Sequence, residues 1–128
     1  MGLCILPYVD SLMKARSGVA QWYKRSLSLD KVQMPQSLQG SVSNFSFFPI
    51  ILKNEDLVLR IKEKLLSIGV ATRRYFYPSL SKLPHVTYQN CPVSEDIASR
   101  VLCLPMYDSL TVENIERICE VINDITKN

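Results

Sequence analysis

Residues 69–84 read G-V-A-T-R-R-Y-F-Y-P-S-L-S-K-L-P. Gly69 follows an amphipathic run and can supply the left-handed residue that ends a helix. Val70 to Phe76 then carries β-branched and aromatic side chains and predicts a strand, which Pro78 stops. Two adjacent arginines resist burial without anionic partners. Beside Tyr75, Phe76 and Tyr77 they suit a binding edge: guanidinium forks for phosphate or carboxylate, next to rings with an apolar face and a polar tip. The plainer alternative is a solvated strand end whose aromatics fold back onto the core. Strand alternation sets Arg73, Tyr75 and Tyr77 on one face and Arg74 with Phe76 on the other. Phe76 favours the core, so the first three face outward, and Arg74 needs a carboxylate or a route to solvent.

Working outward, Asn54 caps a helix with Glu55 and Asp56 in its first turn, and Leu57, Val58, Ile61, Leu65 and Ile68 form its apolar face. Before it, Asn44 to Leu52 reads as a strand in which Pro49 marks an edge or a bulge. Residues 28–43, rich in Ser, Gln, Pro and Gly, are loop. Residues 3–27 have a helical rhythm interrupted by Pro7 and weakened at Gly18 by about 1 kcal/mol relative to alanine. That helix has no cap and reads as though its beginning were missing. Downstream, residues 78–91 are irregular. Ser94 caps a helix from Glu95 to about Leu102, Cys103–Pro105 is a brief third strand, and Thr111 caps a last helix facing inward with Ile115, Ile118, Cys119, Ile122 and Ile125. This order predicts one α/β (α+β) domain over residues 1–128, with a small three-stranded sheet covered by helices.

At 128 residues, 47% hydrophobic and 21% charged, the chain has the profile of one soluble domain. A net charge of +3, with bases and acids interspersed, gives no stripe for nucleic acid. The four cysteines form no C-x-x-C pair and His85 is the single histidine, so no metal site is expected. Cys4, Cys103 and Cys119 lie in apolar segments, which points to a reduced, cytoplasmic setting. No signal peptide is read at the start, and no apolar run approaches the ~20 residues of a membrane span. His85 has no nucleophile motif around it, and P-loop, dinucleotide and zinc-protease signatures are missing. Of the eight lysines, Lys82 stands nearest the aromatic stretch, but its Ser and Pro neighbours leave it solvated. The residues alone therefore describe a binding or partner domain, with no catalytic residue assigned.

Arg73–Leu80 (R-R-Y-F-Y-P-S-L) and Ser94–Tyr107, ending in L-P-M-Y and followed by Leu110-Thr111, resemble the DegT/DnrJ/StrS aminotransferases. These are pyridoxal-phosphate enzymes that aminate keto groups on nucleotide-linked sugars. At the front, Met1-Gly2-Leu3 with Leu6 is similar to the helix leaving the family's large domain, and Arg16, Ala20, Tyr23 and Leu27 fit its continuation. The R-R-Y-F-Y-P-S-L form is most similar to members acting on dTDP-4-keto-6-deoxy sugars. The resemblance covers nearly all of the chain, but only the family's C-terminal small domain. It implies the mainly antiparallel three-stranded sheet of fold-type I aminotransferases, with residues 1–27 continuing from a large domain. The lysine and aspartate that hold the cofactor belong to that large domain. Pyridoxal phosphate is thus expected in the complete enzyme and not on this chain alone, and truncation or a partial reading frame would explain the missing helix start. By the same resemblance Arg73, Arg74, Tyr75 and Tyr77 line the substrate side, with an arginine near the diphosphate. The partners are a sugar nucleotide, an amino donor, and a large domain or second subunit. Ser79 and Leu80 stand where the family often has a histidine. Two other readings stay open: a free-standing module for an anionic ligand, and an interaction domain that docks through its apolar first helix.

Overall fold

The computed structural model describes residues 2–127. Met1 and Asn128, the ends of the expected domain, lie outside them, and with Met1 the first residue of the helix-exit resemblance. A one-turn helix α1 (Gly2–Ile5) and a 3-10 turn (Leu6–Tyr8) lead into α2 (Val9–Ser26). The break falls at Pro7, which has no N–H for the helical ladder. Beyond these come β1 (Phe48–Ile51), α3 (Glu55–Ser67), a 3-10 turn (Leu80–Lys82), α4 (Pro92–Arg100), β2 (Val101–Leu104) and α5 (Val112–Lys127).

Among the described residues the sheet has two strands, which corrects the expected three. β1 and β2 run antiparallel, Phe48 opposite Leu104 and Ile51 opposite Val101. Of the third strand expected at Val70–Phe76, only Arg73 reaches the sheet, as a single bridge to Cys103. Its N–H donates to Cys103 O at 3.2 Å and its carbonyl accepts from Cys103 N–H at 2.7 Å. The next residue, Arg74, is anchored by its side chain to α3 and α4, and the backbone turns away from β2 instead of following it.

Gln33 makes the matching bridge outside β1, exchanging backbone hydrogen bonds of 3.0 and 2.8 Å with Ile51. Ile51 therefore uses its backbone groups on the side away from β2. Pro49, two residues earlier, points its donorless nitrogen the same way, so the ladder to β2 loses nothing. Two further boundaries differ from expectation. α4 starts at Pro92 and not after Ser94, because a proline in the first turn gives up no helical bond. β2 begins directly at Val101, with all four of its residues buried.

α5 presents Ile115, Ile118, Cys119 and Ile122 to α2 and α3, and each isoleucine buried this way contributes about 1.5–3 kcal/mol. Tyr23 of α2 is fully buried, its ring stacked on Phe48 at 4.8 Å and its hydroxyl donating to Pro105 O at 3.1 Å. Asn123 fastens the end of α2 to α5, accepting from Ser28 N–H at 2.9 Å and donating to Ser26 O at 2.8 Å. α3 is bounded as its sequence predicts: Asn54 Oδ1 accepts from Leu57 N–H at 3.0 Å, and Gly69 closes the helix at φ +82°. At the other extreme Leu3, Ile5, Leu6 and Tyr8 are exposed. No helix among the described residues is long and apolar enough to cross a membrane.

Candidate functional site

The four residues of the arginine–aromatic stretch divide into two groups with different surroundings. Arg74 is half-buried, its side chain 9% exposed, and committed to the protein. Its Nη2 donates to Glu55 Oε1 at 2.8 Å, to Ser99 O at 2.8 Å and to Ala98 O at 3.4 Å. Its guanidinium also lies over the Tyr77 ring, 3.5 Å from the centroid. One cation thus joins a carboxylate at the start of α3 to carbonyls at the end of α4, where the helix dipole favours positive charge. The hydrogen bond from Arg74, helped by Tyr77, holds the Glu55 carboxyl below the usual range.

Arg73 has the opposite environment. It is exposed and makes no side-chain hydrogen bond or ion pair among the described residues. It lines an open cleft of about 210 Å³ with Phe47, Tyr75, Cys103, Leu104 and Met106. Tyr75 is half-buried there, edge-on to Phe47 at 5.0 Å and to Phe76 at 5.5 Å. A second cleft of about 380 Å³ shares Ala71 and Pro105 with the first and carries Arg117 and Asn114. A larger one, about 680 Å³, opens between β1, α3 and the end of α5, away from all four residues. Its Arg100 is tied to Asp96 and Leu52 O, and its Lys127 to Asp124. The smallest of the three, at Arg73, pairs a guanidinium with aromatic edges and is the candidate site.

The strand alternation expected from the sequence holds for Arg73, Arg74 and Tyr75 and then fails. Phe76 is 65% exposed, against the expectation that it enters the core, and Tyr77 sides with Arg74. The turn that begins at Tyr75 removes the two-residue period on which that expectation stood. Two contributors were not singled out from sequence. Phe47 sits unmarked within a strand-like run, and Glu55 looks like an ordinary first-turn acid. An acid in a helix's first turn that also meets an arginine 19 residues on has no sequence signature.

Beyond the turn, Ser79 is buried and its Oγ lies 3.2 Å from Ser81 Oγ and 3.1 Å from Ser94 Oγ. Ser81 donates to Glu95 Oε1 at 3.1 Å, and Lys82 Nζ sits 3.0 Å from Glu95 Oε2. This network pins the 3-10 turn to α4. The hydrogen bond and charge of Glu95 raise the Lys82 pKa, which keeps its ammonium protonated. The other seven lysines are, like Lys82, exposed on the surface. His85 is exposed in the irregular segment that follows.

Residues 1–123 match the DegT/DnrJ/EryC1/StrS aminotransferase family. The chain belongs to that family. The dTDP-4-amino-4,6-dideoxy-D-glucose transaminase of Shigella dysenteriae is 30% identical over 133 residues, taking in 97% of this chain and 36% of that protein. The UDP-N-acetyl-3-dehydro-alpha-D-glucosamine 3-aminotransferase of Acidithiobacillus ferrooxidans is 34% identical over 120 residues, with 91% of this chain and 31% of its own length covered. A crystal structure of a DegT DnrJ EryC1 StrS aminotransferase from Brucella abortus superposes with a TM-score of 0.82 at 27% identity, covering 98% of this chain and 34% of that one. The chain therefore spans about a third of the length of the curated relatives it matches. Enzymes of this family depend on pyridoxal phosphate. A lysine that binds it must give up its proton in an enclosed setting. Eight exposed lysines, the one by the aromatic turn held charged by Glu95, do not fit that group.

Proposed function

We propose that this chain is the C-terminal, substrate-side domain of a pyridoxal-phosphate-dependent aminotransferase that aminates a keto sugar nucleotide, such as a dTDP-4-keto-6-deoxy sugar. The cofactor and its lysine belong to a large domain or second subunit that completes the enzyme, and the chain by itself is inactive. Arg73 and Tyr75 contact the substrate. Arg74 and Tyr77 hold the turn that presents them.

The observation that carries this reading is the cleft of Phe47, Arg73 and Tyr75, in a chain that is a domain-sized third of its family relatives. A free guanidinium beside aromatic edges suits a phosphate-bearing sugar. Two relatives are named for dTDP and UDP sugars, which supports a sugar nucleotide as the substrate class. The exposed apolar side chains of Leu3, Ile5 and Leu6 suit a covering domain or subunit.

The test is a chimera in which this chain replaces the matching third of the Shigella transaminase. Purified with pyridoxal phosphate, it is assayed against keto sugars linked to dTDP, UDP and GDP, with glutamate as amino donor. Amination of one of them, lost in Arg73→Ala, supports the reading. A folded, cofactor-loaded chimera that aminates none of the three overturns it.

A further inference from the structure

The cleft of about 680 Å³, of a size that suits a small organic ligand, draws cations from separate stretches of chain. Lys31 comes from the loop before β1, Lys53 and Arg60 from the approach to α3 and from α3 itself, Arg100 from the end of α4 and Lys127 from the end of α5. Two acids, Asp30 and Asp56, share the lining. The pairing of these charges is uneven. Arg100 is held by Asp96 and Lys127 by Asp124, and Lys31 lies 3.8 Å from its neighbour Asp30. Lys53 and Arg60 make no side-chain hydrogen bond or ion pair among the described residues. Asp56 precedes Arg60 at the spacing of a helical ion pair, yet among the described residues the two do not pair. Both uncommitted cations are exposed, so their charge is open to a ligand. Like charges gathered at one opening repel, and an anion among them removes that repulsion. An added strand is not the occupant, because Gln33 already takes both backbone groups of Ile51 at the cleft wall. A compact body that reaches the cations through its own charges is what fits.

The geometry points to a binding site for a di- or triphosphate group, with Lys53 and Arg60 as its main contacts and Lys31 as a third. The planar fork of the arginine suits two oxygens of one phosphate, and the lysine ammonium is a point charge for the next. This cleft shares no residue with the one at Arg73, so the site is separate from the substrate reading and stands or falls without it.

Amide chemical-shift titration of the whole chain with inorganic tripolyphosphate, at constant ionic strength, tests it. Saturable shifts are expected at Lys53, Asp56 and Arg60. Orthophosphate should bind at least about tenfold more weakly, since it meets only one of the two main contacts at a time. Lys53→Gln and Arg60→Gln should each weaken tripolyphosphate about tenfold. Lys64→Gln, which removes the same charge from α3 outside the cleft, and Arg73→Gln should leave it unchanged. The same spectra show that each variant is folded, and should one cleft variant not fold, the other still decides. ATP as a second probe tells a nucleotide from a free phosphate chain, and saturable binding of either at these residues supports the assignment. An equal loss in Lys64→Gln would mean diffuse attraction to a basic surface and overturns it. Dependence on Arg73 would move the anion to the other cleft and does the same. So would shifts that never saturate, or a polyglutamate peptide that binds more tightly than either phosphate probe, the mark of an acidic protein segment.

Discussion

The Arg74 guanidinium sits 3.5 Å from the centroid of the Tyr77 ring, so the two residues fix one another across the turn that carries Phe76. Arg74 also satisfies Ala98 O and Ser99 O. Arg74→Ala should therefore lower stability by about 2–3 kcal/mol, the range for charge-assisted hydrogen bonds made from a buried position. Arg74→Lys should recover little, since an ammonium cannot stack or fork in the same way. Urea unfolding checks this: the midpoint should fall with the slope unchanged. A midpoint equal to wild type would mean the clamp contributes nothing.

Acid should weaken the fold through three carboxylates. Glu55, Glu95 and Asp96 are held below the usual range, first by hydrogen bonds from Arg74, Lys82 and Arg100 respectively. A folded pKa below the unfolded one means stability that is present above about pH 4 and lost as pH falls through the folded value. The urea midpoint should thus hold near neutrality and drop below about pH 4. The combined Glu55→Gln, Glu95→Gln and Asp96→Asn variant should be weaker at neutral pH and decline less steeply in acid.

Thiol reactivity should separate the cysteines. Cys4 is exposed, whereas Cys103 and Cys119 are buried. Burial pushes both buried thiols up, Cys119 to about 12, and a thiol that stays protonated is a poor nucleophile. In a timed labelling experiment with a thiol reagent, Cys4 should modify at once. Cys103 and Cys119 should modify at the rate of unfolding. Rapid labelling of Cys119 in native buffer would contradict its place under α2 and α3.

Pyridoxal phosphate added to the chain alone should leave no covalent trace. After borohydride reduction, mass spectrometry should find no stoichiometric adduct at any of the eight lysines. Lys82 is the informative position, because its pairing with Glu95 favours the protonated amine. A full adduct there would defeat the view that the cofactor is held outside this chain.

The helices of this fold are legible because their signals are local. For α3, the Asn54 cap, the acids at 55 and 56, the apolar spacing from Leu57 to Leu65 and the positive φ of Gly69 all sit within one stretch of sequence. The site was half legible. Paired arginines among aromatics mark a special segment, and a carboxylate partner for Arg74 follows from the cost of burying its charge. The sheet and the geometry of the cleft were not legible, because they depend on distant residues. Residues 70–76 have a strand's composition, yet Glu55, Ala98 and Ser99 draw Arg74 out of line after one bridge to Cys103. Phe47 looks like its neighbour Phe48 in sequence; only the turn at Phe45 separates their fates.

Pro49 governs what this small sheet can join. Along the outer border of β1, Gln33 already occupies the backbone groups of Ile51, and the proline offers an incoming strand no donor. Exposed strand borders are templates for chain-to-chain stitching, and this one leaves an incoming strand the Pro49 carbonyl but no donor at either alternate position. Copies of the chain can meet through side chains such as Leu3 and Leu6, but not by lengthening one another's sheet along β1. The imino acid that marks an edge or a bulge in the sequence acts as this border's guard against fibrous growth.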